Sequence, residues 1–265
     1  GVKEVSTLKL RLSVGQTGQQ DGIGDYVHMA RYTMSNNPSY TYNMGNGNFM
    51  NMLTPQAYDP TIRWETTTTY NLGLDYGFFD DRLSGSIDAY MRDTKDLLNS
   101  VQVPMGSNFG NRLMTNIGSI RNKGLEFSIT GIPVQTAFWS VQVGVNGTFQ
   151  DTEFTRLNVT EDDNYYIETG NISKGTGGYL CRQMVGYAPY TYYTYKQKYD
   201  AAGKPIQNEF VDLDGDGQIT EGDRYMTGKS ASPKFFYGMN LKVTYKDWDF
   251  GLNGHGAAGT WVFND

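Results

Sequence analysis

The sequence predicts an all-β, antiparallel fold, and three features carry that expectation. Its 265 residues include 32 Gly, 20 Tyr and 13 Phe, while charged residues reach only 19%, against roughly 25% in an average soluble domain. Aromatic and β-branched side chains pack well on a pleated surface, and glycine costs a helix interior about 1 kcal/mol against alanine. Second, apolar residues recur with a strict period of two, which sends them all to one face of a strand. Third, the connections between those runs alternate between very short and very long.

Leu8, Leu10, Leu12 and Val14 alternate with Lys9, Arg11 and Ser13 and mark the first strand. A stretch rich in Asn, Gly and Tyr follows, at about 16–61. Tyr70, Leu72, Leu74, Tyr76 and Phe78 then alternate with Asn71, Gly73, Asp75 and Gly77. After Asp80-Asp81 the pattern resumes with Leu83, Gly85, Ile87, Ala89 and Met91. A two-residue turn at Asp80-Asp81 sets Phe78 opposite Leu83, Tyr76 opposite Gly85 and Leu74 opposite Ile87. All are apolar-face pairs, which a slip of one residue would mix. A loop at about 99–113 leads to Leu125–Ile129, a short turn at 132–137 and Val141–Phe149. A very long stretch comes next, at about 152–232. The last pair turns at Lys246-Asp247, setting Tyr245 against Trp248, Val243 against Phe250 and Leu241 against Leu252.

Loops longer than about 15 residues are uncommon in soluble domains. Short turns at one end and long loops at the other mark an outer-membrane barrel. Parity then puts all three long stretches on one side, the extracellular one. Phe78, Trp139, Tyr245 and Trp248 lie near the short turns, where a membrane-interface girdle belongs. A soluble sandwich alternates as well, with its apolar face inward. On pattern alone both readings stay open.

Charge and cysteine content narrow the function classes. A net charge of −6 and a pI near 5.0 leave no electrostatic footprint for nucleic acid. A mean hydropathy of −0.53 argues against helical membrane spans. Cys181 is the single cysteine, so neither an internal disulfide nor a zinc quartet is expected, and it reads as an inert small residue. The opening GVKEVSTLKL has no charged segment followed by an apolar one, so no signal peptide is expected there. The chain then reads either as cytoplasmic or as a piece of something longer, and the closing GTWVFND, just after a strand-like run, favours the piece.

Five runs carry a resemblance. LKLRLSVGQTG at 8–18, RWETTTTYNLGLDYGFF at 63–79, RLSGSIDAYMRDTKDLL at 82–98, NIGSIRNKGLEFSITGIPV at 116–134 and DLDGDGQITEGDRYMTG at 212–228 resemble the SusC/RagA-type TonB-dependent transporters of Bacteroidota. The match runs over nearly the whole chain in the family's order. It implies an antiparallel transmembrane β-barrel of roughly 22 strands, filled by an N-terminal plug, of which residues 1–265 supply about seven membrane strands and long extracellular loops, with no plug domain in this chain. It further implies import of an oligosaccharide or peptide across the outer membrane. The implied partners are outer-membrane lipid, a SusD-like surface lipoprotein, and TonB through a part of the protein not in this chain. The rival reading is a secreted, calcium-stabilised β-sandwich that binds glycans.

The sharpest local motif lies inside the 152–232 stretch. Asp212, Asp214, Asp216, Gly217 and Ile219 fit a twelve-residue calcium loop at its first, third, fifth, sixth and eighth positions. Hard carboxylate oxygens suit calcium, and Gly217 permits the sharp turn between them. Gln218 would offer its backbone carbonyl, and Asp223 stands where the loop usually ends in Glu. A structural Ca2+ site on Asp212, Asp214, Asp216, Gln218 and Asp223 is therefore expected.

Other candidates are weaker. Arg11, Asp75, Asp88, Arg92, Glu126 and Asp249 fall on polar faces, where they could line a solute path or form an ion-pair lattice. Tyr187, Tyr190, Tyr192, Tyr193, Tyr195 and Tyr199 could stack on sugars or a lid, or pack within the loop. Asn158-Val-Thr and Asn171-Ile-Ser match glycosylation acceptors, which means little in a bacterial protein. His28 and His255 lack a nucleophile or metal partner at a recognisable spacing. No Ser/His/Asp set, phosphate-cradling loop or carboxylate pair stands out, so no enzymatic activity is expected.

Overall fold

The structure, a computed structural model, describes residues 4–34, 41–45, 47–51, 53–102, 112–157, 164–172 and 178–263. In chain order the strands are β1 (Val5–Gln19), β2 (Tyr32–Met34), β3 (Thr41–Asn43), β4 (Phe49–Asn51), β5 (Leu53–Pro55), β6 (Glu65–Phe78) and β7 (Leu83–Lys95). Then come β8 (Leu98–Gln102), β9 (Arg112–Asn116), β10 (Ser119–Gln135), β11 (Trp139–Arg156), β12 (Tyr166–Asn171) and β13 (Tyr179–Met184). The last six are β14 (Thr191–Tyr195), β15 (Gln197–Tyr199), β16 (Pro205–Phe210), β17 (Arg224–Ser230), β18 (Phe235–Tyr245) and β19 (Trp248–Ala258). Among the described residues no helix is long and apolar enough to cross a membrane.

The seven long strands form one sheet in the order β1-β6-β7-β10-β11-β18-β19, a meander with β1 and β19 at its edges. Its tight connections fall where alternation put them. The Arg82 amide donates to the Phe79 carbonyl (3.2 Å) around Asp80 and Asp81, whose φ values are 54° and 61°. Positive φ at both central residues is what a type I′ hairpin turn requires, and aspartate tolerates that region better than most residues. β18 and β19 pair as expected, Tyr245 with Trp248, Val243 with Phe250 and Leu241 with Leu252.

The turn expected at 132–137 is shorter than that. β10 runs through to Gln135, and the Thr136 amide closes on the Trp139 carbonyl (2.7 Å). Gly131 and Pro133 read as turn residues, yet β7 begins only at Leu83 and the Ile132 amide bonds the turn residue Arg82 (2.7 Å). Ile132 and Pro133 thus lie past the start of β7, and their carbonyls accept from the Arg82 guanidinium.

Burial separates barrel wall from sandwich. Among the described residues only Tyr90, Phe154, Leu157 and Cys181 are buried apolar side chains. The alternating apolar face stays open, with Leu12 at 78% exposure and Leu72, Ile87, Val143, Met239 and Phe250 also exposed. A sandwich would cover that face; a barrel turns it to lipid.

The same face carries its own depth markers. At the turn end Trp139 and Tyr245 stack with ring centroids 4.3 Å apart. Toward the long connections, the apolar residues Leu125 and Phe149 give way one step later to Lys123 and Asp151, paired at 3.6 Å. Arg121 and Asp93 pair next, at 2.7 Å. From Trp139 to Phe149 is about ten strand steps, or roughly 26 Å of depth at a tilt near 40°. That matches the roughly 25 Å apolar band of outer-membrane barrels.

The described chain divides into two compact units. The first comprises Gly1–Gly15, Thr69–Asp93 and Ile120–Asp265. Within it, the expected long stretch at 152–232 is largely folded: β12-β13-β14-β17 form a four-stranded sheet and β15-β16 a hairpin. Asn158 of one acceptor triplet and Ser173 of the other lie outside the described residues. The second unit comprises Gln16–Thr68 and Thr94–Ser119 and its described residues hold three two-stranded antiparallel sheets, β2 with β5, β3 with β4 and β8 with β9. Asn116 ties it together, accepting from the Arg63 amide and donating to the Arg63 and Asp96 carbonyls, each at 2.7 Å.

Candidate functional site

The polar face of the long sheet has two chemical sectors. In the first, the Arg11 guanidinium grips Asp75 in a fork (2.9 and 2.8 Å) and reaches Asp88 (2.9 Å). Gly73 makes this possible, because a Cβ there would lie 2.8 Å from the Arg11 guanidinium carbon. Arg92 sits over the Tyr90 ring at 4.4 Å. Of the charged residues singled out from sequence, Arg11, Asp75 and Asp88 are thus one ion-paired group. Asp249 instead accepts from Thr244 (2.6 Å).

In the second sector, on β11, β18 and β19, the facing residues are amides, glycines and the His255 imidazole. Gly144 pairs with Asn240 and Asn240 with Asn253; Asn146 pairs with Gly238 and Gly238 with His255. The Asn240 carboxamide lies where a Gly144 side chain would be, 2.5 Å from the position of its Cβ. Asn146 occupies the matching place over Gly238, at 2.8 Å.

The loop sheet is held by a column of rings and guanidiniums. Arg182 lies between Tyr166 (3.7 Å) and Tyr193 (3.5 Å), and Arg224 covers Tyr193 at 4.6 Å. Arg182 also pairs with Glu168 at 3.3 Å. Of the tyrosine-rich run, Tyr193 therefore packs within the loop, while Tyr190 and Tyr199 are exposed. Cys181, on β13 of this sheet, is buried, and burial pushes its thiol up, which disfavours the reactive thiolate.

The acidic loop is built as a series of amide-capping turns. Asp212 accepts from the amides of Gly215 (2.6 Å) and Gly217 (2.8 Å), Asp214 from Asp216 (3.2 Å), and Asp216 from Gln218 (2.7 Å). Gly215 and Gly217 take left-handed φ values of 79° and 81°, which suit glycine. Carboxylate oxygens of Asp212, Asp214 and Asp216 lie within 4.8 Å of one another. The Asp216 amide alone would lower the Asp214 carboxyl; desolvation and the charges of Asp216, Asp223 and Asp212 outweigh it and raise it.

Asp223 behaves differently. It is fully buried, and its two oxygens accept from the Leu213 (2.6 Å) and Thr220 (2.7 Å) amides. Those amides, Thr220 first, hold its carboxyl below the ordinary range. It also closes a capping box with Thr220 on the 3-10 turn Glu221–Asp223. The structure thus brings three of the expected ligands together and commits the fourth carboxylate to the backbone.

Comparison with known proteins places these features. Residues 7–265 match the family model described as TonB dependent receptor-like, beta-barrel. The chain belongs to that family. Its members are outer-membrane β-barrel proteins that transport rather than catalyse. The chain is 40% identical over 265 residues to TonB-dependent receptor SusC of Bacteroides thetaiotaomicron, covering all of this chain and 26% of that protein. It is 30% identical over 282 residues to TonB-dependent receptor P3 of Formosa agariphila, covering 98% of this chain and 26% of the relative. A solved structure described as the RagAB peptide transporter superposes with a TM-score of 0.77 at 26% identity, over all of this chain and 28% of that one. The chain is of the SusC/RagA type and spans about a quarter of the length of these relatives. With the family shown, the apolar face is the lipid face and the polar face the lumen wall.

Sequence reading missed the Arg182–Tyr193 column and the interlocked Asn and Gly pairs. Neither has a local signal. The Asn and Gly pairs depend on the register between β11 and β18, which are distant in sequence, and the column on short loop strands that alternation does not mark.

Proposed function

We propose that this chain forms lumen wall and surface loops of a TonB-dependent importer that carries an oligosaccharide or peptide across the outer membrane. The observation that carries this is the two-faced sheet, apolar and exposed on one side, ion-paired and amide-lined on the other. Whole-length similarity to SusC supports the importer class, and likeness to RagAB supports working with a SusD-like surface lipoprotein. TonB would engage through a part of the protein outside this chain. Deleting the full-length gene should abolish uptake of the cargo, and an uncoupler that collapses the inner-membrane proton gradient should do the same to the wild type. Uptake that survives the uncoupler would contradict the TonB-dependent reading.

We also propose that the acidic loop holds a structural Ca2+. Asp212, Asp214 and Asp216 supply a hard-oxygen donor set that fits calcium, with the Gln218 carbonyl and Asp223 completing it if Asp223 gives up an amide. The ion would neutralise the crowding that raises Asp214, and by binding only the ordered loop would stabilise it. Chelator should speed proteolysis around Lys204–Arg224 in the wild type. Cleavage indifferent to chelator would remove the assignment.

A further inference from the structure

The loop sheet has a weak seam, and the end of the acidic loop supplies the group that closes it. Among the described residues β12 and β13 pair from Tyr166 to Asn171, whereas β13 and β14 share only two residue pairs, Cys181 with Tyr192 and Arg182 with Thr191. Just past Cys181 and Tyr192 the carbonyls of Tyr179 and Tyr193 both accept from one nitrogen of Arg224, at 2.5 and 2.7 Å. Arg224 belongs to neither strand. It opens β17, which lies on the other side of β14 from β13, so its guanidinium reaches across β14. A charged donor makes stronger bonds than the amides of a ladder. The Arg224 side chain is only 11% exposed, which leaves water little room to take its place.

What holds Arg224 there is the close of the acidic loop. Its amide donates to the Glu221 carbonyl, which sets the direction in which the chain leaves the 3-10 turn. Asp223, the residue before it, is fully buried and takes the Leu213 and Thr220 amides, so both ends of the loop converge beside the guanidinium. Thr220 caps the same turn, accepting from the Gly222 amide at 3.2 Å. Glu221 adds an exposed ion pair to Arg224 at 3.4 Å, of a kind that contributes little. Every group in this series of contacts belongs to one compact unit.

We infer that Arg224 couples the acidic loop to the loop sheet, so that order in residues 212–223 sets how firmly β13 and β14 are joined. With the turn formed, the guanidinium is delivered to both carbonyls. With the turn open, Arg224 loses its fixed backbone, and the two carbonyls lose a shared donor that the short ladder cannot replace. The relation is reciprocal, as a coupling free energy must be, so loosening the seam also loosens the turn. It holds whether the loop is ordered by its own amide bonds or by the ion proposed above. An ion bound in the loop would then tighten strands that it does not touch.

The test is a double-mutant cycle read by amide hydrogen exchange on the full-length transporter in lipid vesicles, with chelator present so that the ion plays no part. Arg224→Gln removes the shared donor. Thr220→Ala loosens the turn without altering the sheet or any of the expected calcium ligands. Thr220→Ala should speed exchange in β13 and β14 about threefold, in line with a lost cap. Arg224→Gln should speed it about tenfold, in line with lost bonds to a charged donor, and should also speed exchange in residues 212–220. The double variant should exchange in β13 and β14 no faster than Arg224→Gln alone, while β18 and β19 keep their rates throughout. Arg224→Lys, which keeps the charge but not the planar fork, should fall between wild type and Arg224→Gln, and it takes the place of Arg224→Gln in the cycle if that variant does not fold. Wild-type rates in β13 and β14 of Thr220→Ala would overturn the inference. So would effects that multiply in the double variant, or faster exchange in β18 and β19, which would mark a general loss of stability.

Discussion

Three carboxylates in the same loop illustrate how far a residue's role depends on what its oxygens already hold. Asp214 and Asp216 each use one oxygen on a backbone amide and keep the other free, whereas Asp223 has both engaged and no exposure. Variants of the two kinds should therefore separate in proteolysis. Asp214→Ala with Asp216→Ala should cleave like calcium-free wild type and ignore added calcium. Asp223→Ala should cleave faster than calcium-free wild type, because it also orphans the Leu213 and Thr220 amides. Equal cleavage in both variants would mean that Asp223 has no role apart from the ion. Gly85 is a second residue with a single reason to be there. A Cβ on it would lie 2.6 Å from the Tyr76 hydroxyl and clash with the Ser128 carbonyl. Gly85→Val should destabilise the folded barrel by about 1–3 kcal/mol, the usual cost of overpacking, read from urea titration of the full-length protein in vesicles. A change below a few tenths would show that Tyr76 and the Ser128 carbonyl both give way freely.

At the scale of elements, the hairpins were legible in sequence and the loop sheet was not. Period two, together with a two-residue turn, fixes which residues face each other, so the pairings of Tyr245 with Trp248 and Leu241 with Leu252 follow from the alternation alone. Strand ends were harder. β11 continues past Asp151 to Arg156, with Phe154 its one apolar residue there, and alternation ceases to mark a strand that has left the apolar layer. β12, β13, β14 and β17 are short and packed through Arg182, whose neighbours Tyr166 and Tyr193 are set by tertiary contact. The acidic loop was visible as a motif, but the capture of Asp223 by two amides depends on the fold of the turn. Arg182→Ala should remove about 1–2 kcal/mol of cation–π and ion-pair support. Amide exchange in β13 and β14 should then speed by roughly 5- to 30-fold while β18 and β19 keep their rates. Unchanged exchange in β13 would show that the column is not what holds this sheet.

For the whole molecule, side and depth follow from one assignment of faces. Because every tight turn lies at one end of the sheet, a cysteine placed at Gly203 in the loop region should react with an impermeant reagent on intact cells. One placed at Asp247 in the β18-β19 turn should react only after the outer membrane is opened. The opposite result would invert the topology. The central claim, that the alternating apolar face meets lipid and the polar face a watery lumen, is tested most directly by spin labels at consecutive positions of two paired strands in the full-length transporter. Labels at Val143 and Leu241 should be relaxed by oxygen, which partitions into lipid, and those at Gln142 and Lys242 by a water-soluble nickel complex. Accessibility that alternates with period two in that phase is the predicted result; nickel access at Val143 and Leu241, or no alternation at all, would contradict it.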